Sequence, residues 1–247
     1  MNNLVINIKV HPNLYKKDPL SATLGKKIIE TGVLLIDEVG LEQFTFKKLA
    51  KETGTTEASI YRYFENKHHL FVYLLNWYWE WMAARIDLNT LNIASPAERL
   101  KIVLNLIVDS ANRHADIEFV DESALHRIVV REGAKGYHHK MVDSENQDGF
   151  FLAYKRLTGK IADLITAMNP GFPYPRALAS TLIEAANNNL YFAQHLPRLT
   201  DLNKDEDRLC QQVKGLLEFF AFGLIYNNLV SEVKLNPNDR PNLKLTG

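Results

Sequence analysis

Between Thr45 and Lys67 the chain gathers side chains able to read or grip a polyanion. There are hydroxyls at Thr45, Thr55, Thr56 and Ser59, phenols at Tyr61 and Tyr63, cations at Lys47, Arg62 and Lys67, and a carboxylate at Glu57. In a major groove a carboxylate accepts from cytosine, hydroxyls bond several base edges and Arg or Lys reaches guanine, whereas Tyr, Lys and helix N-terminal amides suit phosphates. These groups act together only if one exposed face presents them. The spacing allows this: Thr45 can cap a helix bearing Leu49 and Ala50, Gly54 breaks it, and Thr56 can cap a second helix bearing Ile60. Two short helices packed near a right angle need a small residue at their contact and a glycine in the turn, which Ala50 and Gly54 supply. Leu49 and Ile60 then point inward, and Thr56, Glu57, Ser59, Arg62 and Tyr63 remain outside. By spacing alone, the pattern also describes an ordinary helical hairpin with a solvated face.

Other chemistries find little support. There is no His-Glu-x-x-His, no phosphate loop and no Gly-x-Ser-x-Gly, so no enzyme, cofactor or metal site is expected. Glu65-Asn66-Lys67-His68 has the spacing of half a di-iron site but no second copy. His138-His139 alone is not a metal site, because adjacent helical residues do not face one ligand position. The single cysteine, Cys210, excludes an intrachain disulfide and any Cys-based zinc cluster, and suits a reducing cytoplasm. His126, Arg127, Arg131, Tyr154 and His195 are candidates to offer polar groups to a small ligand, with surface or satisfied-core roles equally open.

The 247 residues suffice for a small domain and a larger one, and 46% apolar residues allow a sizeable core. The 29 basic and 29 acidic side chains cancel, so any nucleic-acid surface must be local. The N-terminus lacks a signal-peptide pattern, and the apolar stretch Phe71 to Ala84 is broken by Asn76 and Glu80 and too short to span a bilayer; no membrane role is expected. Residues 1–19 read as an arm, poorly ordered or lying along a neighbour, because Pro12 and Pro19 discourage helix before them. Helical spacing follows over 20–39, then the two short helices, then a long aromatic segment opened by Lys67 and reaching about residue 88. Trp77, Tyr78, Trp79, Trp81 and Met82 within it read as core, with a ligand pocket or domain junction as the alternative. Ser95-Pro96-Ala97-Glu98 starts a helix to about 114, and further helices are expected over 123–131, 145–168, 175–195 and 204–230, ahead of a frayed tail at 231–247. The class is all-α, with no period-two strand pattern.

The elements Leu49-Ala50, Gly54, Tyr61-Arg62-Tyr63-Phe64 and Lys67, followed by Leu70, resemble the signature of the TetR family of bacterial transcriptional regulators over about residues 22–72. The resemblance implies a three-helix DNA-binding domain at 20–68 and a larger helical ligand-binding and dimerisation domain at 69–230. Its implied phosphate contacts are Thr45, Lys47, Tyr61 and Lys67; Thr55, Thr56, Glu57, Ala58, Ser59, Arg62 and Tyr63 lie nearest the bases and flanking backbone. Glu57 departs from a basic surface, and its repulsion from phosphate must be offset by cytosine or a neighbouring Lys. The resemblance further implies a homodimer through the last two long helices. There the stripe Leu209, Val213, Leu216, Leu217, Phe220 and Leu224 is broad enough to serve both core and partner. The expected partners are double-stranded operator DNA, a second copy and a small-molecule effector, and the expected activity is a ligand-responsive repressor. The alternative is a helical ligand-binding or interaction protein that reads no operator.

Overall fold

A computed structural model describes residues 8–109 and 120–226. Ten α-helices and no strand occur among the described residues. The N-terminal unit comprises α1 (Thr23–Gln43), α2 (Phe46–Thr53) and α3 (Glu57–Tyr61). It is followed by α4 (Lys67–Thr90), α5 (Pro96–Asp109), α6 (Glu122–Glu132), α7 (Val142–Gln147), α8 (Leu152–Met168), α9 (Pro175–His195) and α10 (Glu206–Tyr226).

Local chemistry accounts for the helix starts. Thr45 Oγ1 accepts from the Lys48 amide, Thr56 Oγ1 from the Ser59 amide, Asn66 from the His69 amide and Ser95 Oγ from the Glu98 amide. The helix expected at 123 starts one residue earlier, because Asp121 and not Ser123 supplies the cap. The single helix expected over 145–168 is two, α7 and α8, divided where Gly149 takes φ 84°. Gly40, expected to stop α1, sits there at φ 76° and kinks it, and one further turn runs to Gln43. Residues 110–114 of the expected fifth helix and the tail at 231–247 lie outside the described residues.

α4 is the central post. Its aromatic residues are buried: Trp77, Tyr78, Trp81 and Met82 are core, and Trp79 also borders a cavity. The helix packs against α5, α6 and α8, and α8 and α9 close the body with α10. The arm reading needs correction for residues 8–19. Leu14 and Pro19 are buried, the Lys16 amide donates to the Tyr63 carbonyl (2.7 Å), and Asn13 donates to the Asp148 carbonyl (2.9 Å). This segment is strapped across its own chain because Ile8, Val10 and Leu14 gain more by joining the core than by staying in water.

α10 divides the apolar stripe in two. Leu209, Val213 and Leu217, continued by Ala221 and Ile225, recur every four residues and form intrachain core. Leu216, Phe220 and Leu224 turn outward, joined by Phe219 at 75% exposure. The expectation that Leu217 serves a partner is corrected, since it is fully buried in one subunit.

Candidate nucleic-acid interface

The hairpin of α2 and α3 is built on buried Leu49, Ala50 and Ile60, as the spacing required. Gly54 adopts the left-handed conformation (φ 66°, ψ 32°), its amide donating to the Ala50 and Lys51 carbonyls, so the chain can turn sharply into α3. A side chain there would meet open space but would strain the backbone. Thr53 closes the inner face by donating to the Leu49 carbonyl at 2.7 Å.

On the outer face Lys47, Glu57, Ala58, Tyr61 and Arg62 are exposed, and Thr55 and Ser59 are half-buried. Thr56 and Ser59 hydroxyls pair at 3.0 Å, so both are held in place at the N-terminus of α3. Tyr61 packs edge-on against Phe46 (ring centroids 5.0 Å), which fixes its ring and leaves the phenol outward. Thr45 is exposed, but its hydroxyl is engaged by the Lys48 amide.

Two assignments change. Tyr63, expected outside near the bases, is 4% exposed; its ring lies beneath the Lys17 ammonium (5.3 Å), because the chain turns at the end of α3 and carries it into the arm contact. Lys67, expected on a phosphate, donates to the carbonyls of Leu41, Glu42 and Phe44 at 3.1, 3.2 and 3.4 Å. It neutralises the carbonyl end of α1 and ties it to the start of α4.

The larger domain holds α1 through α6. Asp37 of α1 pairs with Arg127 (2.6 Å) and with Arg131, whose guanidinium also donates to the Asp37 carbonyl at 2.8 Å. Glu132 accepts from the Leu41 amide just beyond the Gly40 kink. Arg127 and Arg131, read as ligand candidates, thus hold α1 through Asp37 while also bordering cavities on the body side. The other side of α6 borders a cavity of about 280 Å³ against α4 and α9, lined among others by Trp79, Val129, Tyr137, Glu184, Asn187 and Tyr191. Glu184 Oε1 accepts from the hydroxyls of Tyr137 (2.6 Å) and Tyr154 (3.0 Å). Burial first, and then the carboxylate, raises both phenol pKa values, so both hydroxyls keep their protons. Tyr154 is therefore placed behind the cavity, stacked on Trp79. His126 is core, bonded to the Tyr78 hydroxyl at 2.8 Å, and with Arg127, Arg131 and His195 it edges a separate cavity of about 290 Å³. Glu184 and Tyr137 were missed, since no local pattern joins them.

Residues 28–74 match the model of the bacterial regulatory proteins, tetR family. Over 81 residues, 33% of this chain, the sequence is 33% identical to the nucleoid occlusion factor SlmA of Haemophilus influenzae and equally to that of Mannheimia succiniciproducens. The matched stretch spans 37% of the Haemophilus protein and 38% of the Mannheimia protein, well under two thirds of either. In three dimensions the chain is similar to the fatty acid degradation regulator FadR from Bacillus halodurans (TM-score 0.58, 18% identity, 82% of this chain and 97% of that one). It is also similar to AibR in complex with isovaleryl coenzyme A and operator DNA (TM-score 0.53, 16% identity, 76% and 95%). A third similar structure is FadR from Bacillus subtilis in complex with stearoyl-CoA (TM-score 0.53, 18% identity, 80% and 97%). Residues 28–74 thus match the tetR-family domain of bacterial regulatory proteins, and the chain shares the all-helical fold of these solved structures.

Proposed function

We propose that the protein is a dimeric transcriptional repressor whose operator affinity is set by a small molecule bound between α4, α6 and α9. The observation that carries the reading is the double duty of α6. One side lines the cavity through Val129 and Arg131, while Arg127, Arg131 and Glu132 hold Asp37 and Leu41 of α1. A ligand that displaces α6 by an ångström would carry α1, and hence α3, with it. In a symmetric dimer this alters the separation of the two recognition helices and their match to successive major grooves. Structures of similar regulators that contain isovaleryl coenzyme A or stearoyl-CoA support small-molecule control. Here the Glu184 carboxylate in an aromatic chamber favours an effector that brings hydrogen-bond donors or positive charge.

On the DNA side Lys47 and Tyr61 are backbone contacts, and Glu57 and Arg62 read bases. The test is binding to the DNA upstream of the protein's own gene, and to randomised duplexes, across a salt series. Lys47→Ala is expected to weaken all duplexes alike and lower the salt slope by about 1, whereas Glu57→Gln and Arg62→Ala shift base preference by about 1–3 kcal/mol. Binding without any sequence preference would support the competing reading of a helical interaction protein that reads no operator.

A further inference from the structure

The start of α4 and the α7 segment bring together three side chains that the DNA-binding function does not use. His68 lies in the first turn of α4, His139 in the turn before α7, and Glu145 within α7. Glu145 Oε2 lies 3.1 Å from His68 Nε2 and 3.2 Å from His139 Nε2. All three donor atoms fall within 4.8 Å of one another, and Glu145 keeps only 12% of its side chain in solvent. From the structure we infer that these residues form a binding site for a divalent first-row transition-metal ion of the zinc type, joining the start of α4 to the α7 segment.

The spacing carries the inference. With metal–nitrogen and metal–oxygen distances of about 2.0–2.1 Å, neighbouring ligands of a tetrahedral ion stand about 3.3 Å apart, close to both separations here. Two imidazoles and a carboxylate form a donor set that suits zinc, cobalt(II) or nickel, and not magnesium or calcium, which take oxygen. The two rings meet edge to face with centroids 4.7 Å apart, so neither has to cross the other to reach a shared ion. The fourth position faces the partly exposed side, where His68 and His139 retain 30% and 24% exposure, and water can fill it.

In the metal-free arrangement the carboxylate is hydrogen-bonded to the His68 ring and lies beside the His139 ring. His139 Nε2 also lies 3.2 Å from the Gly136 carbonyl, and the Met141 amide reaches Nδ1 at a long 3.3 Å. An ion on Nε2 displaces that ring's proton to Nδ1, so binding gives up both of these weak contacts. It gains a covalent-strength link between α4, next to the DNA-binding unit, and the segment carrying Tyr137.

The experiment uses full-length protein without an affinity tag, dialysed against chelator. Zinc titration by calorimetry is expected to show one ion per subunit, and cobalt(II) to give the visible bands of a four-coordinate ion. His68→Ala and Glu145→Gln should each weaken zinc by at least tenfold and abolish the cobalt bands. Metal-free melting curves check that each variant is folded; His139→Ala serves if His68→Ala is not. Three results would overturn the assignment: no stoichiometric binding by the wild type at micromolar zinc, unchanged affinity in the variants, or variants that lose metal-free stability while the wild type binds nothing, which would leave a hydrogen-bonded cluster only.

Discussion

Replacing Phe219 and Leu217, two residues apart on α10, should have opposite consequences. Phe219 is 75% exposed in the single subunit and Leu217 is wholly buried. Phe219→Glu should therefore leave the subunit fold within about 0.5 kcal/mol, as for surface changes generally. If this face meets a second copy, the change removes apolar area from the dimer. An aromatic side chain offers roughly 150 Å², and at about 25 cal/mol per Å² covering the exposed three-quarters contributes up to about 3 kcal/mol per protomer. Two-fold symmetry doubles this to about 6 kcal/mol, and the glutamate must also be desolvated. The dimer dissociation constant should rise by up to about ten-thousand-fold, and operator affinity should fall with it. Leu217→Ala should instead cost the subunit about 2–5 kcal/mol through a cavity, lowering the melting temperature by roughly 10 °C while the folded protein remains dimeric. Sedimentation equilibrium with circular dichroism on the same samples reads both. A Phe219→Glu protein that sediments as the wild-type dimer, or a wild type that is monomeric at micromolar concentration, refutes the reasoning.

Two further outcomes follow from buried and bridging charge. Burial, and secondarily the Arg127 charge, lowers the His126 pKa to about 4 from 6.5, so below pH 6.5 the unfolded chain takes up a proton that the native state refuses. The associated stability is intact above pH 6.5 and is lost as pH falls towards 4, by about 3 kcal/mol in all; urea unfolding of His126→Gln should show a flatter acid limb, and an unchanged limb would assign the acid loss elsewhere. Asp37→Asn should lower stability by only about 1 kcal/mol, since both arginines are partly exposed. It should nevertheless speed amide exchange at the C-terminal end of α1, and unchanged exchange there would mean that α6 does not hold α1 through this cluster.

What the sequence determined by itself was the local architecture. Caps at Thr45, Thr56 and Ser95, the turn at Gly54 and the proline start of α9 each act within four residues, and helical periodicity needs only two turns to declare itself. Hence the DNA-binding unit, the family resemblance and most helix bounds were legible without coordinates. Tertiary structure decided the outcome wherever a side chain had more than one possible partner. Tyr63 and Lys67 carry residue types suited to DNA, yet the arm covers one and the carbonyl end of α1 engages the other. Arg127 and Arg131 border a cavity, yet Asp37, ninety or more positions earlier in the chain, engages their charge. The apolar stripe of α10 is wider than one contact, and only packing showed that Leu217 turns inward while Phe219 and Phe220 turn out. Only the fold, by returning α7 to the start of α4, set Glu145 between His139 and His68, because side-chain convergence across 71 residues leaves no period in the sequence.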